Sequence, residues 1–141
     1  MTVIAKSATP SMSTVGATQV VAGNIYAGEE LEAVAPCYIK SDGKVYMCDG
    51  VADAEAAKFV GFTARHTELG EPVTLYGFGT RFKYGSGLTP DAVLYLAEND
   101  GVYNLVAGAL DDAVTTGDTQ GTALVVSATD IVVCRVDPKS G

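Results

Sequence analysis

From Gly28 onward the chain is a series of short apolar runs separated by glycine-containing turns. Pro36-Cys37-Tyr38-Ile39-Lys40 and Lys44-Val45-Tyr46-Met47-Cys48 flank Ser41-Asp42-Gly43. An Asp-Gly between apolar runs predicts a β-hairpin, because glycine supplies the positive φ of the tight turn. Pro72-Val73-Thr74-Leu75-Tyr76 alternates as a half-buried strand does. Thr80-Arg81-Phe82-Lys83-Tyr84 sets Phe82 on one face and Arg81 and Lys83 on the other. Gly77-Phe78-Gly79 between them reads as a tight turn or bulge. Residues 93–97 and 102–106 predict a second hairpin around Asp100-Gly101, and residues 123–126 and 130–136 predict two closing strands. Helical signals are thin: two turns at most over 52–58 and one over 109–114. The expected fold is all-β, a single compact β-barrel or β-sandwich.

The two hairpins echo each other. Tyr38 and Tyr46 recur as Tyr95 and Tyr103, each 57 positions later, with Asp42-Gly43 answered by Asp100-Gly101. Val73-Thr74-Leu75-Tyr76 stands 59 positions before Val132-Val133-Cys134-Arg135. Each half therefore reads as hairpin, linking segment, strand, strand, as two halves of one β-barrel would.

The first 28 residues follow another pattern. They hold one charge, Lys6, and no acid, with Ser or Thr at seven positions and Pro10, Gly16 and Gly23 among them. So few large apolar residues cannot build a core alone, although Val3-Ile4-Ala5 and Thr18-Gln19-Val20-Val21 are β-capable. The division expected is an extended N-terminal arm over 1–27 and a β body over 28–141. An uncharged, β-capable arm can add a strand to a neighbour's sheet edge. The arm residues expected to make such contacts are Val3, Ile4, Lys6, Met12 and Val15.

Charge and composition narrow the function. Nine basic against seventeen acidic residues give a net charge of −8 over 141 residues. That balance opposes binding to nucleic acid, which needs clustered Lys and Arg, and to anionic membrane surfaces. No segment has the apolar length of a signal peptide core or a membrane helix. Cys37, Cys48 and Cys134 fit neither a closed disulfide framework nor a zinc-ligand spacing, and Cys37 and Cys134, in apolar strand-like runs, read as small buried hydrophobes.

Catalytic chemistry finds little to work with. His66 is the only histidine, no Gly-x-Ser-x-Gly elbow is present, and His66 beside Arg65 reads as an exposed polar residue. Gly77-Phe78-Gly79 and Gly85-Ser86-Gly87 lead into strands, not into helices that could hold a phosphate. The carboxylate pairs Glu29 with Glu30, Asp111 with Asp112, and Glu98 near Asp100 sit in turn-like segments, as solvated loop tips do. No catalytic residue, metal site or cofactor is expected. Seven tyrosines on a glycine-turned β body suit contact surfaces instead.

Gly70-Glu71-Pro72-Val73-Thr74-Leu75-Tyr76-Gly77, then Tyr84-Gly85-Ser86-Gly87-Leu88-Thr89-Pro90 and Leu94-Tyr95-Leu96, resembles tailed-bacteriophage head decoration proteins, also called capsid cement proteins. The segments 38–46 and 126–133 fit the same pattern, so the resemblance covers roughly residues 28–136. It implies a β-rich protein on the outer surface of an assembled head in the virion, put together in the host cytoplasm. It further implies a homotrimer that clamps neighbouring major capsid subunits, without catalysis or cofactor. A tail or fibre module that binds a host surface glycan is the alternative role.

Overall fold

A computed structural model describes residues 3–13, 19–51, 55–98 and 108–135. Among these the fold is all-β, with a single 3-10 turn at Glu55–Ala57 inside the stretch expected to hold at most two helical turns. The strands are β1 (Val3–Ile4), β2 (Gln19–Tyr26), β3 (Pro36–Ile39), β4 (Val45–Met47), β5 (Gly61–Thr63), β6 (Pro72–Tyr76), β7 (Arg81–Lys83), β8 (Val93–Leu96), β9 (Leu110–Asp111), β10 (Ala123–Val125) and β11 (Asp130–Val133). They form a five-stranded sheet in the order β2-β6-β5-β3-β4 and a six-stranded sheet in the order β1-β9-β8-β10-β11-β7, with every pairing antiparallel.

Local chemistry explains the elements. Gly43 takes φ +84° in the β3–β4 turn, while Asp42 Oδ1 accepts the Lys44 N–H and Oδ2 accepts the Tyr46 hydroxyl at 2.8 Å. Phe82 points into the core between outward Arg81 and partly exposed Lys83, as the alternation predicts. Two expectations need revision, and one strand was not expected. Residues 109–114 hold β9 and no helical turn, because Leu110 is fully buried between strand partners Ile4 and Leu96. Cys134 is exposed: inward Ile131 and Val133 set an alternation that turns the next residue out. Strand β5 was hidden in the pattern because it is only three residues long and begins on Gly61. The predicted strand over 102–106 lies outside the described residues.

Apart from β1, which joins the larger sheet, residues 19–76 form the smaller sheet and residues 81–133 the larger. The order β2-β6-β5-β3 in one is repeated as β7-β11-β10-β8 in the other. Register repeats as well: Pro36 opposite Phe62 and Cys37 opposite Gly61 recur as Val93 opposite Leu124 and Leu94 opposite Ala123. The first strand of that pair moves by 57 positions and the second by 62, so five extra residues lie between them in the second half. Loop bonds follow: Leu31 N–H to Thr67 O at 2.8 Å is matched by Leu88 N–H to Ala128 O at 2.9 Å. Of the expected echo, the 57-position step from Tyr38 to Tyr95 coincides with the offset of β3 and β8. Asp111 stands opposite Tyr95 where Tyr46 stands opposite Tyr38, and Tyr103 lies outside the described residues. The repeat is one of sheets, neither of which closes into a barrel.

Neither sheet closes through a continuous ladder. Each curls so that chain just past one edge strand, β2 or β7, reaches across to β4 or β9. Gly28 N–H meets Val45 O at 2.9 Å in the smaller sheet, and in the larger one the Leu110 N–H donates to the Tyr84 hydroxyl at 3.1 Å. A single apolar cluster joins both sheets, taking in Tyr38 and Phe62 from one and Phe82, Leu94, Leu96, Val125 and Ile131 from the other. Phe62 is its hinge point, with its ring centroid 5.3 Å from Phe59 and 4.9 Å from Phe82. A second cluster, including Leu31, Val45, Val73 and Leu75, fills the smaller sheet.

A buried polar clasp fastens the loop after β9. Asp118, fully buried, accepts the N–H groups of Leu96 and Gly121 at 2.9 Å each and the Thr122 hydroxyl at 2.7 Å. Arg135 Nη1 lies 3.8 Å from Asp118 Oδ2, and its Nη2 donates to Ala57 O, tying the end of the second half to the first.

Candidate functional site

The arm residues are where a contact function was expected, and their placement is specific. The described part, 3–13, is extended but lies on the body. Val3 pairs with Asp111 and Ile4 with Leu110, which makes β1 an edge strand of the larger sheet. Ser7 N–H donates to Tyr84 O at 2.8 Å, and Ser11 exchanges bonds of 3.3 and 3.0 Å with Lys83 on β7. The segment therefore extends the sheet beyond β9 at its start and reaches the opposite edge strand, β7, at its end. Gly85 makes room for it: a Cβ there would stand 3.0 Å from Ala5 O.

Side chains divide accordingly. Ile4 and Met12 rest partly buried against the joint core cluster. Lys6, the one charge of the arm, forms an ion pair with Glu32 of the body. Such a pair, with Glu32 well exposed, contributes at most about 1 kcal/mol. Val3 is half-buried. Val15 lies outside the described residues. The body thus holds the segment by a two-residue strand, a few backbone bonds and two apolar side chains. Among the described residues, no strand pairs with the outer edge of β1.

A second surface surrounds β2, the edge of the smaller sheet. Val20 packs beside Gly77, next to exposed Phe78, at one end of the β2–β6 pair. At the other end, exposed Tyr26 pairs with Pro72, and exposed Leu69 sits in the turn whose Gly70 N–H bonds Ala27 O. Large apolar side chains gathered at both ends of one sheet edge are contact-surface chemistry. Sequence reading missed this grouping, since residues 20 and 78, and 26 and 69, meet only through sheet pairing. A small concavity of ≈ 150 Å³ lies over β5 and β6, lined mainly by Thr63, Arg65, Thr67, Thr74 and Tyr76. It is shallow and carries no nucleophile with an adjacent base.

The cysteines separate into two environments. Cys37 and Cys48 are buried, and loss of hydration on burial raises both thiols well above their ordinary value. The thiolate is the reactive form, so these two should be inert in the folded chain. Labelling with a water-soluble thiol reagent is expected to modify Cys134 alone under native conditions and all three cysteines in denaturant. Native modification of two or more thiols would contradict this packing.

His66 and the carboxylates are where the turns put them. His66 is exposed, with Glu30 and Glu68 each 3.6 Å from one of its ring nitrogens. Glu29 accepts the Met47 N–H at 2.9 Å, and Asp111 is buried with its Oδ1 on the Ala113 N–H, so neither is a solvated loop tip. No described helix is long and apolar enough to cross a membrane. No protein-family model matches the chain, and no curated protein is significantly similar to it.

Proposed function

We propose that this protein is a decoration protein of a tailed-bacteriophage head, binding the outer capsid surface as a homotrimer and holding neighbouring major capsid subunits together. The observation that carries the reading is the N-terminal segment: lightly fastened, nearly uncharged, and ending the larger sheet in a strand whose outer edge pairs with no strand among the described residues. Strand addition at that edge supplies backbone hydrogen bonds whatever the partner's side chains. Three such edges on one trimer multiply a weak contact through effective concentration. The resemblance of the strand and turn motifs supplies the partner, and the all-β body with apolar residues flanking β2 supplies a surface for the trimer contacts. The charge of −8 suits a protein that docks from outside without touching DNA.

The division of labour can be tested by deleting residues 2–13, which stops short of β2 and leaves both core clusters with their fully buried members. The truncated chain is expected to keep a trimer mass by light scattering and to lose binding to undecorated heads. Full binding by the truncated trimer would place the capsid contact elsewhere on the body.

A further inference from the structure

Glu30, His66 and Glu68 come together although 36 positions separate the first from the second. The cause is a backbone bridge: Leu31 and Thr67 exchange N–H to O bonds of 2.8 and 2.9 Å, and both residues are buried. With Leu31 and Thr67 facing in, the residues on either side of them face out on one side of the turn. One ligand atom from each of the three lies within 4.8 Å of the others. Fold alone does not ask for this set. The matching bond in the second sheet, Leu88 to Ala128, is flanked by Gly87, Ser127 and Thr129, none of them charged.

The geometry points to a surface site for a borderline divalent transition-metal ion, with Zn²⁺ as the type, held by the His66 imidazole and the carboxylates of Glu30 and Glu68. One imidazole with two carboxylates suits such an ion better than Ca²⁺ or Mg²⁺, which take oxygen-only shells. The exposed side chains can close on an ion at bonding distances of about 2.0–2.2 Å, and water completes the shell. Arg65, next to His66 in the chain, turns its guanidinium to the His66 carbonyl at 3.4 Å. A bound ion would clamp the 28–31 loop to the turn that follows β5.

The test uses the full chain carrying Cys134→Ser, which removes the exposed thiol as a rival ligand. Zn²⁺ is titrated in while the ring-proton resonances of His66, the sole histidine, are followed by NMR. The expected result is a saturable one-to-one shift, weakened by about tenfold or more when Glu30→Gln and Glu68→Gln are added. Thermal melting of both proteins in the absence of metal is expected to coincide, since all three side chains are exposed. Unmoved His66 resonances would overturn the site. Equal affinity in the double glutamine variant would overturn it too, reducing the effect to a lone imidazole.

Discussion

Asp118→Ala is expected to lower the unfolding free energy by about 3–5 kcal/mol. The substitution strips a shared acceptor from two backbone N–H groups and a hydroxyl, all of them buried. It also leaves buried Arg135 without this carboxylate. The cost comes from desolvated donors and a desolvated charge, which water cannot reach to compensate. In a domain of this size the melting midpoint should fall by roughly 10 °C. Asp118→Asn retains one acceptor oxygen and should lie between alanine and the parent. Urea titration of the three proteins decides it: a loss under about 1 kcal/mol for alanine would mean the clasp does not hold the loop to β8.

Phe62→Ala should cost about 3–5 kcal/mol by a different route. Phe62 is fully buried, and its ring is the contact through which the smaller sheet meets Phe82 of the larger. Truncation removes the transfer energy of the ring and leaves a cavity at the joint between sheets. Collapse there is limited because β5 is fixed on both sides, by β3 and β6. Phe62→Leu fills most of the space and should recover the larger part of the loss. Both variants are read by denaturant titration, with an unchanged slope as the sign that the two sheets still unfold as one unit. An alanine cost of less than about 1 kcal/mol would show that the sheets do not depend on this contact.

How far the fold can be read from the chain depends on the type of signal. Where alternation and turn chemistry agree, as in Pro72–Tyr76 and around Asp42-Gly43, the strands lie where the pattern puts them. The step from Tyr38 to Tyr95 matches the offset between β3 and β8, and topology and register show the repeat as two copies of one strand order. Short strands escaped. β5 and β9 have three and two residues, and their stability comes from neighbours on each side, not from local preference. Polar burial escaped as well: Asp111 and Asp118 look like loop acids until long-range pairing encloses them.

The contact surfaces show the same limit. Low charge and β-capable residues marked 1–27 as unlike the body, and that contrast remains. The placement of residues 3–13 on the body draws on groups far along the chain, the joint core cluster for Ile4 and Met12 and Glu32 for Lys6. Nothing in the local sequence of Lys6 names Glu32. The grouping of Glu30 with His66 and Glu68 is likewise a product of one backbone bridge, invisible at a separation of 36 positions.

Co-sedimentation of the purified full-length protein with expanded, undecorated phage heads tests the central claim most directly. The protein is expected to pellet with the heads to a saturating level and to raise the temperature at which they break open. Protein that stays in the supernatant at every concentration, with head stability unchanged, would contradict the decoration role.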